Sequence, residues 1–217
     1  MNKGPIIGAV IKASLFSLRD GMPDIHEIKT ELIRKSIHFL IALSPVMAAV
    51  NRPATVGFLI AGTLSYTLME ALRLRGITVP VVSSLTNMAS RQRDRDRFVL
   101  GPVTLGLGAL FALVLYPFPT ASIAIYALAF GDGFAGIIGK LFGRQRPVFL
   151  CGKSLEGSLA CFTAIFVASY GVCQNYRTAF WAAFTGTLME VFPLGDYDNI
   201  ALPIGVGLII QISSAAM

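Results

Sequence analysis

Charged residues are scarce in this chain, and their scarcity excludes an ordinary soluble domain. Asp, Glu, Lys and Arg make up 14% of the 217 residues, whereas hydrophobic residues make up 54%. Soluble domains carry about a quarter charged residues, so lipid must cover the excess apolar surface. Apolar stretches of roughly the length that spans a bilayer occur at 36–51, 53–72, 100–117, 119–142, 155–174, 178–193 and 200–216. The sequence therefore predicts an all-α fold, a polytopic transmembrane helical bundle with about seven spans.

The sequence also predicts neither a cysteine framework nor a cleavable signal sequence. Cys151, Cys161 and Cys173 have neither metal-ligand spacing nor the even number that a disulfide framework needs. No small-residue cleavage site follows the first apolar run. Residues 1–30 are predicted to form an amphipathic surface segment, with a frayed tail as the alternative. Residues 31–217 are predicted to form a single transmembrane domain, because no polar linker divides the apolar segments.

The basic residues predict the orientation of the bundle. With a cytoplasmic N-terminus and seven spans, only Arg52 and Arg177 of the 18 Lys and Arg residues fall outside. Positive charge is retained on the cytoplasmic side, so the basic loops are predicted to face the cytoplasm. The net charge of +6 then belongs to loops that face anionic lipid or a polyanionic substrate, and nucleic acid is not a predicted partner.

Ionisable residues at membrane depth are the candidates for function, because each costs about 2.5–3.5 kcal/mol to insert. The first group lies at the mouth of the first segment, where Glu31, Arg34, Lys35 and His38 form one polar stripe at helical spacing. Interfacial anchoring explains Arg34 and Lys35. It does not explain a histidine one turn deeper, so we predict a functional role for this stripe.

A second group of residues begins with Asp132, roughly two turns inside the cytoplasmic end of the fourth segment. Gly136, Gly139, Lys140 and Gly143 follow it at helical spacing. Repeated small residues are typical of helix packing, which is the structural alternative. Packing gives no reason for a carboxylate above the glycines, so the pattern favours a bare helix surface on which a ligand lies.

A third group opens the fifth segment. Ser154 suits a helix N-cap, Glu156 lies in the first turn, and Lys153 stands beside free N–H groups that attract anions. The Gly152-Lys153-Ser154 sequence is not a phosphate-binding loop of the Walker type, because Pro147 stands where that pattern requires glycine.

Acidic residues form the fourth group, near the C-terminal end. Glu190, Asp196 and Asp198 are predicted to face the same compartment as the basic loops, with Asn199 beside them. Carboxylates that hold Mg²⁺ beside cations that hold phosphates fit phosphate chemistry. A solvated turn is the structural alternative.

Together these residues resemble the membrane-embedded, CTP-dependent lipid-alcohol kinases, a family that includes dolichol kinase, phytol and farnesol kinases, and CTP-dependent diacylglycerol kinase. The resemblance covers most of the chain. Its motifs are Glu31…Arg34-Lys35…His38, Gly131-Asp132…Ala135…Gly139…Gly143-Arg144, Lys153-Ser154-x-Glu156-Gly157-Ser158 and Asp198-Asn199…Pro203.

The resemblance implies transfer of the terminal phosphate of CTP to the hydroxyl of a polyprenol, phytol, farnesol or diacylglycerol at the cytoplasmic face. The implied catalytic residues are Asp132, His38, Lys153 and Glu156. The implied nucleotide-binding residues are Arg34, Lys35, Gly136, Gly139, Lys140, Gly143, Arg144, Lys153 and Ser154. The implied Mg²⁺ ligands are Asp132, Glu190 and Asp198. Either His38 or a carboxylate accepts the hydroxyl proton.

Two other functions compete with this interpretation. CTP:phosphatidate cytidylyltransferases share a similar Asp and glycine run followed by Lys-x-x-Glu-Gly, but this chain lacks their longer C-terminal pattern. A transporter would use Asp132 and Glu190 as ion-coupling acids. Transporters often contain internal repeats with polar groups at the midplane, and this sequence shows no such repeat.

Overall fold

A computed structural model describes residues 25–77, 80 and 97–215 of the protein. Residues 1–24 of the predicted surface segment at 1–30 lie outside the described residues. The described part is helical and contains no strand, which confirms the all-α prediction. Its main helices are α1 Ile25–Ile41, α2 Leu43–Leu74, α3 Gly101–Leu115, α4 Thr120–Leu141, α5 Leu155–Cys173, α6 Tyr176–Val191 and α7 Asp198–Ala215.

Three stretches of the described chain are long and apolar enough to cross a bilayer. They are Ile28–Leu74, which joins α1 to α2, and the single helices Thr120–Leu141 and Leu155–Cys173. Gly101–Leu115 is apolar but shorter. These helices support the prediction that the chain is a membrane protein. The count of seven spans and the cytoplasmic N-terminus stay predictions.

The predicted first segment, 36–51, is divided in the structure, because α1 ends at Ile41. Pro45 has no N–H to donate to the carbonyl of Ile41, and its ring crowds that carbonyl. Ser44 Oγ donates to the Ile41 carbonyl instead, at 2.8 Å. The proline and serine together therefore explain a break that apolar periodicity does not reveal.

A second break lies inside α2, at the predicted boundary between the first two segments. Asn51 has extended backbone angles, φ −153° and ψ 96°. Its side-chain oxygen accepts from the N–H of Ala54 at 3.0 Å, which caps the helix that restarts toward Pro53.

Helix α4 lies at the centre of the bundle. It packs against α1, α3, α5, α6 and α7, and Ile123 and Leu128 enter one core with Ile165 of α5 and Val206 of α7. In the most apolar part of this helix 61% is buried inside the protein, compared with 28% in each of the other two spanning stretches. This helix can therefore carry a charged group that other parts of the protein shield from lipid.

Helices α3 and α7 meet so closely that one position must be glycine. Pro203 has no N–H for the carbonyl of Asn199, and that carbonyl lies against Gly108, where an added Cβ would overlap it. The Asn199 amide donates to the carbonyl of Gly101 at 3.3 Å and to Thr104 Oγ1 at 3.0 Å. These contacts hold the N-terminus of α7 beside the N-terminus of α3.

Arg52 and Arg73 stabilise helix ends through hydrogen bonds. Arg52 donates to the carbonyls of Leu113 and Tyr116 at the C-terminal end of α3. Arg73 donates through two nitrogens to Glu70, each bond 2.8 Å long, and fully buried Glu70 also accepts from the N–H of Val99 at 2.9 Å. Glu70 and Arg73 lie three residues apart on α2, a spacing that brings such a pair together, and their contacts have a structural role.

Candidate functional site

A polar cavity of about 500 Å³ lies at one end of the bundle, where α4 and α6 end and α5 and α7 begin. Helix α1 closes one side and the turn before α7 closes another. Among the described residues, its basic side chains are Arg34, Lys35, Lys140, Arg146 and Lys153, and its acidic side chains are Glu31, Asp132, Glu190, Asp196 and Asp198. The charges therefore balance, and several of them form ion pairs.

The deepest ion pair joins α1 to α4. Lys35 Nζ donates to Asp132 Oδ2 at 2.6 Å, and His38 Nδ1 lies 2.9 Å from the same oxygen. The Lys35 side chain is 1% exposed, so its ammonium depends on Asp132 and on Glu31, whose oxygen is 3.9 Å away. Asp132 is thus held between two α1 side chains and lines the cavity.

A π-helical segment positions this carboxylate. Residues Ala127–Asp132 form a π-helix, and α-helical geometry resumes at Gly133. Such segments are rare and occur often at functional sites. The Phe39 ring lies where a Cβ at Gly133 would be, so the absence of a side chain there lets α1 approach α4.

The glycines that follow Asp132 allow close packing against α4. The sequence alone leaves helix packing and a ligand surface as alternatives for them. A Cβ at Gly136 would overlap Lys35 Cε, and a Cβ at Gly143 would lie 2.6 Å from Ser154 Oγ. At Gly139 the nearest atom would be the same hydroxyl, at 3.0 Å. Packing therefore explains these glycines, although Gly136 and Gly139 still line the cavity.

Lys153 and Glu190 form the second ion pair of the cavity. Lys153 Nζ lies 2.5 Å from Glu190 Oε1, while Glu190 Oε2 is buried without a hydrogen-bond partner among the described residues. Burial acts to lower the pKa of Lys153, but the charge and hydrogen bond of Glu190 outweigh it and raise that pKa. Lys153 is therefore a cation held ready at the cavity wall.

Two long helices begin at the cavity. Ser154 caps α5, its hydroxyl accepting from the N–H of Gly157 at 3.1 Å, and Asp198 and Asn199 begin α7. The N-terminus of a helix carries partial positive charge and free N–H groups. The buried hydroxyl of Ser158, one turn into α5, lacks a hydrogen-bond partner in the described part of the chain. The wall formed by α5 and α7 is therefore suited to an anion.

Glu156 does not line the cavity but orders the loop between α4 and α5. Its carboxylate accepts from the N–H groups of Arg144 at 3.0 Å and Gln145 at 3.2 Å. Arg146, which belongs to none of the four predicted groups, lines the cavity and donates to the carbonyls of Gly152 at 2.7 Å and Gly139 at 3.3 Å. The pattern gave no signal for Arg146 beyond its place in a basic loop.

The three predicted metal ligands do not form a ready-made cage. In the described parts of the chain, no three His, Cys, Asp or Glu side chains come close enough to hold a metal ion. Burial raises the pKa of Asp198, whose oxygen accepts from the N–H of Leu194 at 3.0 Å. Mg²⁺ commonly uses one or two carboxylates together with substrate phosphates. Glu190, with its unpartnered buried oxygen, and Asp198 fit that kind of site.

The structure thus brings together most of the predicted site residues. Those that line the cavity are Arg34, Lys35, Asp132, Gly136, Gly139, Lys140, Lys153, Ser154, Glu190 and Asp198. His38 lies behind Asp132, while Gly143, Arg144 and Glu156 support the loop and helix ends. The fold and cavity define a helical membrane protein with an ion-paired polar site at one end of its bundle.

Comparison with known proteins identifies relatives of one kind. The chain is 26% identical over 219 residues to the probable chloroplastic phytol kinase 1 of Oryza sativa subsp. japonica, covering 90% of this chain and 68% of that protein. It is 26% identical over 207 residues to phytol kinase 1 of Arabidopsis thaliana, with 86% and 67% covered. It is 30% identical over 142 residues to the farnesol kinase of the same plant, with 64% and 46% covered.

No family model matches the chain, and no solved structure is significantly similar to it. The phytol kinases named above nevertheless match most of the chain, 90% and 86% of it. The chain is thus similar to phytol kinases and to a farnesol kinase.

Proposed function

We propose that this protein is a CTP-dependent kinase that transfers the γ-phosphate of CTP to the hydroxyl of a membrane lipid alcohol at the cytoplasmic face. An isoprenoid alcohol such as phytol or farnesol is the proposed acceptor class, because the relatives named above are phytol and farnesol kinases. The observation that carries the proposal is the ion-paired cavity where α5 and α7 begin.

The triphosphate is proposed to occupy the wall formed by Lys153 and the N-termini of α5 and α7. Lys153 exchanges Glu190 for a phosphate oxygen, and Lys140 and Arg146 lie on the same cavity lining. Catalysis of phosphoryl transfer consists mostly of positioning and charge neutralisation. A cavity with cations already in place supplies both.

Asp132 is proposed to accept the proton of the acceptor hydroxyl. His38, the other candidate base, lies behind Asp132 and does not line the cavity. As the acceptor oxygen bonds to the γ-phosphorus, the bond to the bridging oxygen breaks and CDP leaves with that oxygen. Lys35 and His38 orient the Asp132 carboxylate for this step.

Mg²⁺ is the proposed cofactor, with Glu190 and Asp198 as its protein ligands. When Lys153 moves from Glu190 to a phosphate oxygen, Glu190 Oε1 becomes free to bind the ion. Glu190 Oε2 has no hydrogen-bond partner within the described structure. When bound, the ion would neutralise charge that develops on the phosphates. Glu190 and Asp198 line the same cavity as the Lys35–Asp132 pair.

The proposal is tested with purified full-length protein in detergent, Mg²⁺, and CTP labelled at the γ-phosphate. The acceptor panel contains phytol, farnesol, a long polyprenol and diacylglycerol, and ATP serves as the donor control. We expect label in a phosphorylated isoprenoid, with CTP preferred over ATP. Release of label as pyrophosphate on added phosphatidate would instead indicate a cytidylyltransferase, and no turnover with any pair would contradict a kinase.

A further inference from the structure

The loop between α4 and α5, residues 142–154, has a fixed conformation because several bonds tie it to α5. Glu156 accepts from the N–H groups of Arg144 and Gln145, and the N–H of Leu155 donates to the carbonyl of Gln145 at 2.9 Å. The start of the loop is therefore fastened to the first turn of α5.

The second half of the loop is fastened to α4. Arg146 bridges the carbonyls of Gly139 and Gly152, and the N–H of Lys153 donates to the carbonyl of Leu150 at 2.8 Å. Gly152 has a φ of +88°, which favours glycine at this turn. The same bonds that shape the loop thus also place Lys153 at the cavity.

The tip of this ordered loop is apolar and projects away from the protein. Val148 is 97% exposed and Phe149 is 74% exposed, whereas Leu150 is buried and anchors the tip from beneath. Two adjacent large apolar side chains held outward on a fixed loop leave their apolar surface uncovered by this chain. Such a surface needs an apolar environment.

The position and charge of the loop indicate what that environment is. The loop joins two stretches that are long and apolar enough to cross a bilayer, Thr120–Leu141 and Leu155–Cys173, so it lies at a membrane surface. Residues 142–153 contain no Asp or Glu, and the exposed residues Arg144 and Arg146 precede the tip. Basic residues beside exposed apolar ones are typical of segments that dock on anionic lipid.

We propose that Val148 and Phe149 insert into the interfacial region of an anionic bilayer leaflet, with Arg144 at the level of the lipid headgroups. The inserted tip holds the loop at a fixed depth. Because Lys153 lies near the end of the loop, insertion also fixes the height of the cavity wall relative to the headgroups. This second consequence rests on the proposed kinase function, whereas the insertion does not.

Insertion is measured with a single tryptophan at the tip. Phe149→Trp is made in a Trp181→Phe background, because Trp181 is the one tryptophan of the chain. The full chain is reconstituted into vesicles that contain anionic phospholipid brominated high on the acyl chain. We expect most of the tryptophan emission to be quenched by the bromolipid and little of it by aqueous iodide. Emission quenched by iodide and untouched by bromolipid would overturn the proposal.

A second variant tests the functional consequence separately. Val148→Ser combined with Phe149→Ser removes the apolar tip without touching any residue assigned to the cavity. In anionic vesicles we expect a several-fold rise in KM for the lipid acceptor, with activity in detergent unchanged. If the variant has the same KM for the lipid acceptor as the original chain in vesicles as well as in detergent, insertion and the cavity are not coupled. A chain without kinase activity would contradict the proposed function while leaving the quenching result to decide insertion.

Discussion

The Asp132→Asn variant tests the site most directly, and the structure predicts that it loses stability as well as activity. Lys35 is 1% exposed and bonds to Asp132 at 2.6 Å, so the variant leaves a buried ammonium facing a neutral amide. Glu31 is the next acid, 3.9 Å away, and it already accepts from Arg34 at 2.6 Å. With neutral His38, the cluster of Glu31, Arg34, Lys35 and Asp132 changes from net zero to net +1.

Breaking a buried ion pair by removing one partner costs about 3–5 kcal/mol. We expect a loss near 3 kcal/mol in Asp132→Asn, because Glu31 compensates part of the charge. Replacing both partners, with Lys35→Met added to Asp132→Asn, removes the unpaired charge, so stability should return to within about 1–2 kcal/mol of the original. Activity should not return, because the cavity still lacks its carboxylate.

The assay compares three proteins in the same detergent: the original chain, Asp132→Asn and the double variant. Thermal unfolding midpoints report stability, and transfer of label from γ-labelled CTP to the acceptor reports turnover. A midpoint in Asp132→Asn equal to that of the original chain would refute the argument about the buried pair. Turnover in the double variant would remove Asp132 from the reaction.

Three further predictions concern other parts of the protein. Lys153→Ala should raise KM for CTP by roughly tenfold or more, since one charge-assisted bond contributes about 1.5–3 kcal/mol; an unchanged KM would refute the phosphate role. Gly136→Ala should lower the unfolding midpoint by an amount equivalent to about 1–3 kcal/mol and reduce kcat, because the added methyl overlaps Lys35 Cε. Gly62→Ala is its control, with nothing within 4 Å of the added carbon, and equal effects in both would contradict the packing argument. Arg52→Ala should cost about 1.5–3 kcal/mol of stability and leave KM for CTP unchanged, because its bonds lie at the C-terminal end of α3, away from the cavity; a changed KM would contradict this separation.

Much of the helical arrangement could be predicted because apolar length and loop charge are local properties of the sequence. The predicted segments at 100–117 and 155–174 correspond closely to Gly101–Leu115 and Leu155–Cys173. The break at Ile41 was missed, since apolar periodicity continues through it and only Ser44 and Pro45 mark it. A short polar signal is easily hidden inside a long apolar run.

The site could be predicted only in part, because a sequence shows which charges are unusual but not how they pair. Asp132 and Lys35 lie 97 residues apart, and their bond depends on the packing of α1 against α4. The glycines after Asp132 were predicted to expose a ligand surface, yet the side chains of Lys35 and Ser154 lie against them. Whether a small-residue face meets a ligand or a neighbouring helix depends on tertiary packing, which periodicity does not encode.

The pairing of the charges makes the site compatible with the bilayer, and it also suits the proposed nucleotide substrate. An isolated ammonium or carboxylate inside the bundle would be costly, but Lys35 and Glu190 each have a partner of opposite charge. The charges of the described cavity residues therefore balance, and the two ion pairs lie at the end of the bundle. In the proposed reaction, a polyanion that enters with Mg²⁺ would exchange these partners instead of requiring new buried charge. Lys153 would then bind a phosphate oxygen, and Glu190 would be free to bind the metal ion. The deeper Lys35–Asp132 pair has further contacts to Glu31 and His38, so in the proposed exchange it would keep its geometry.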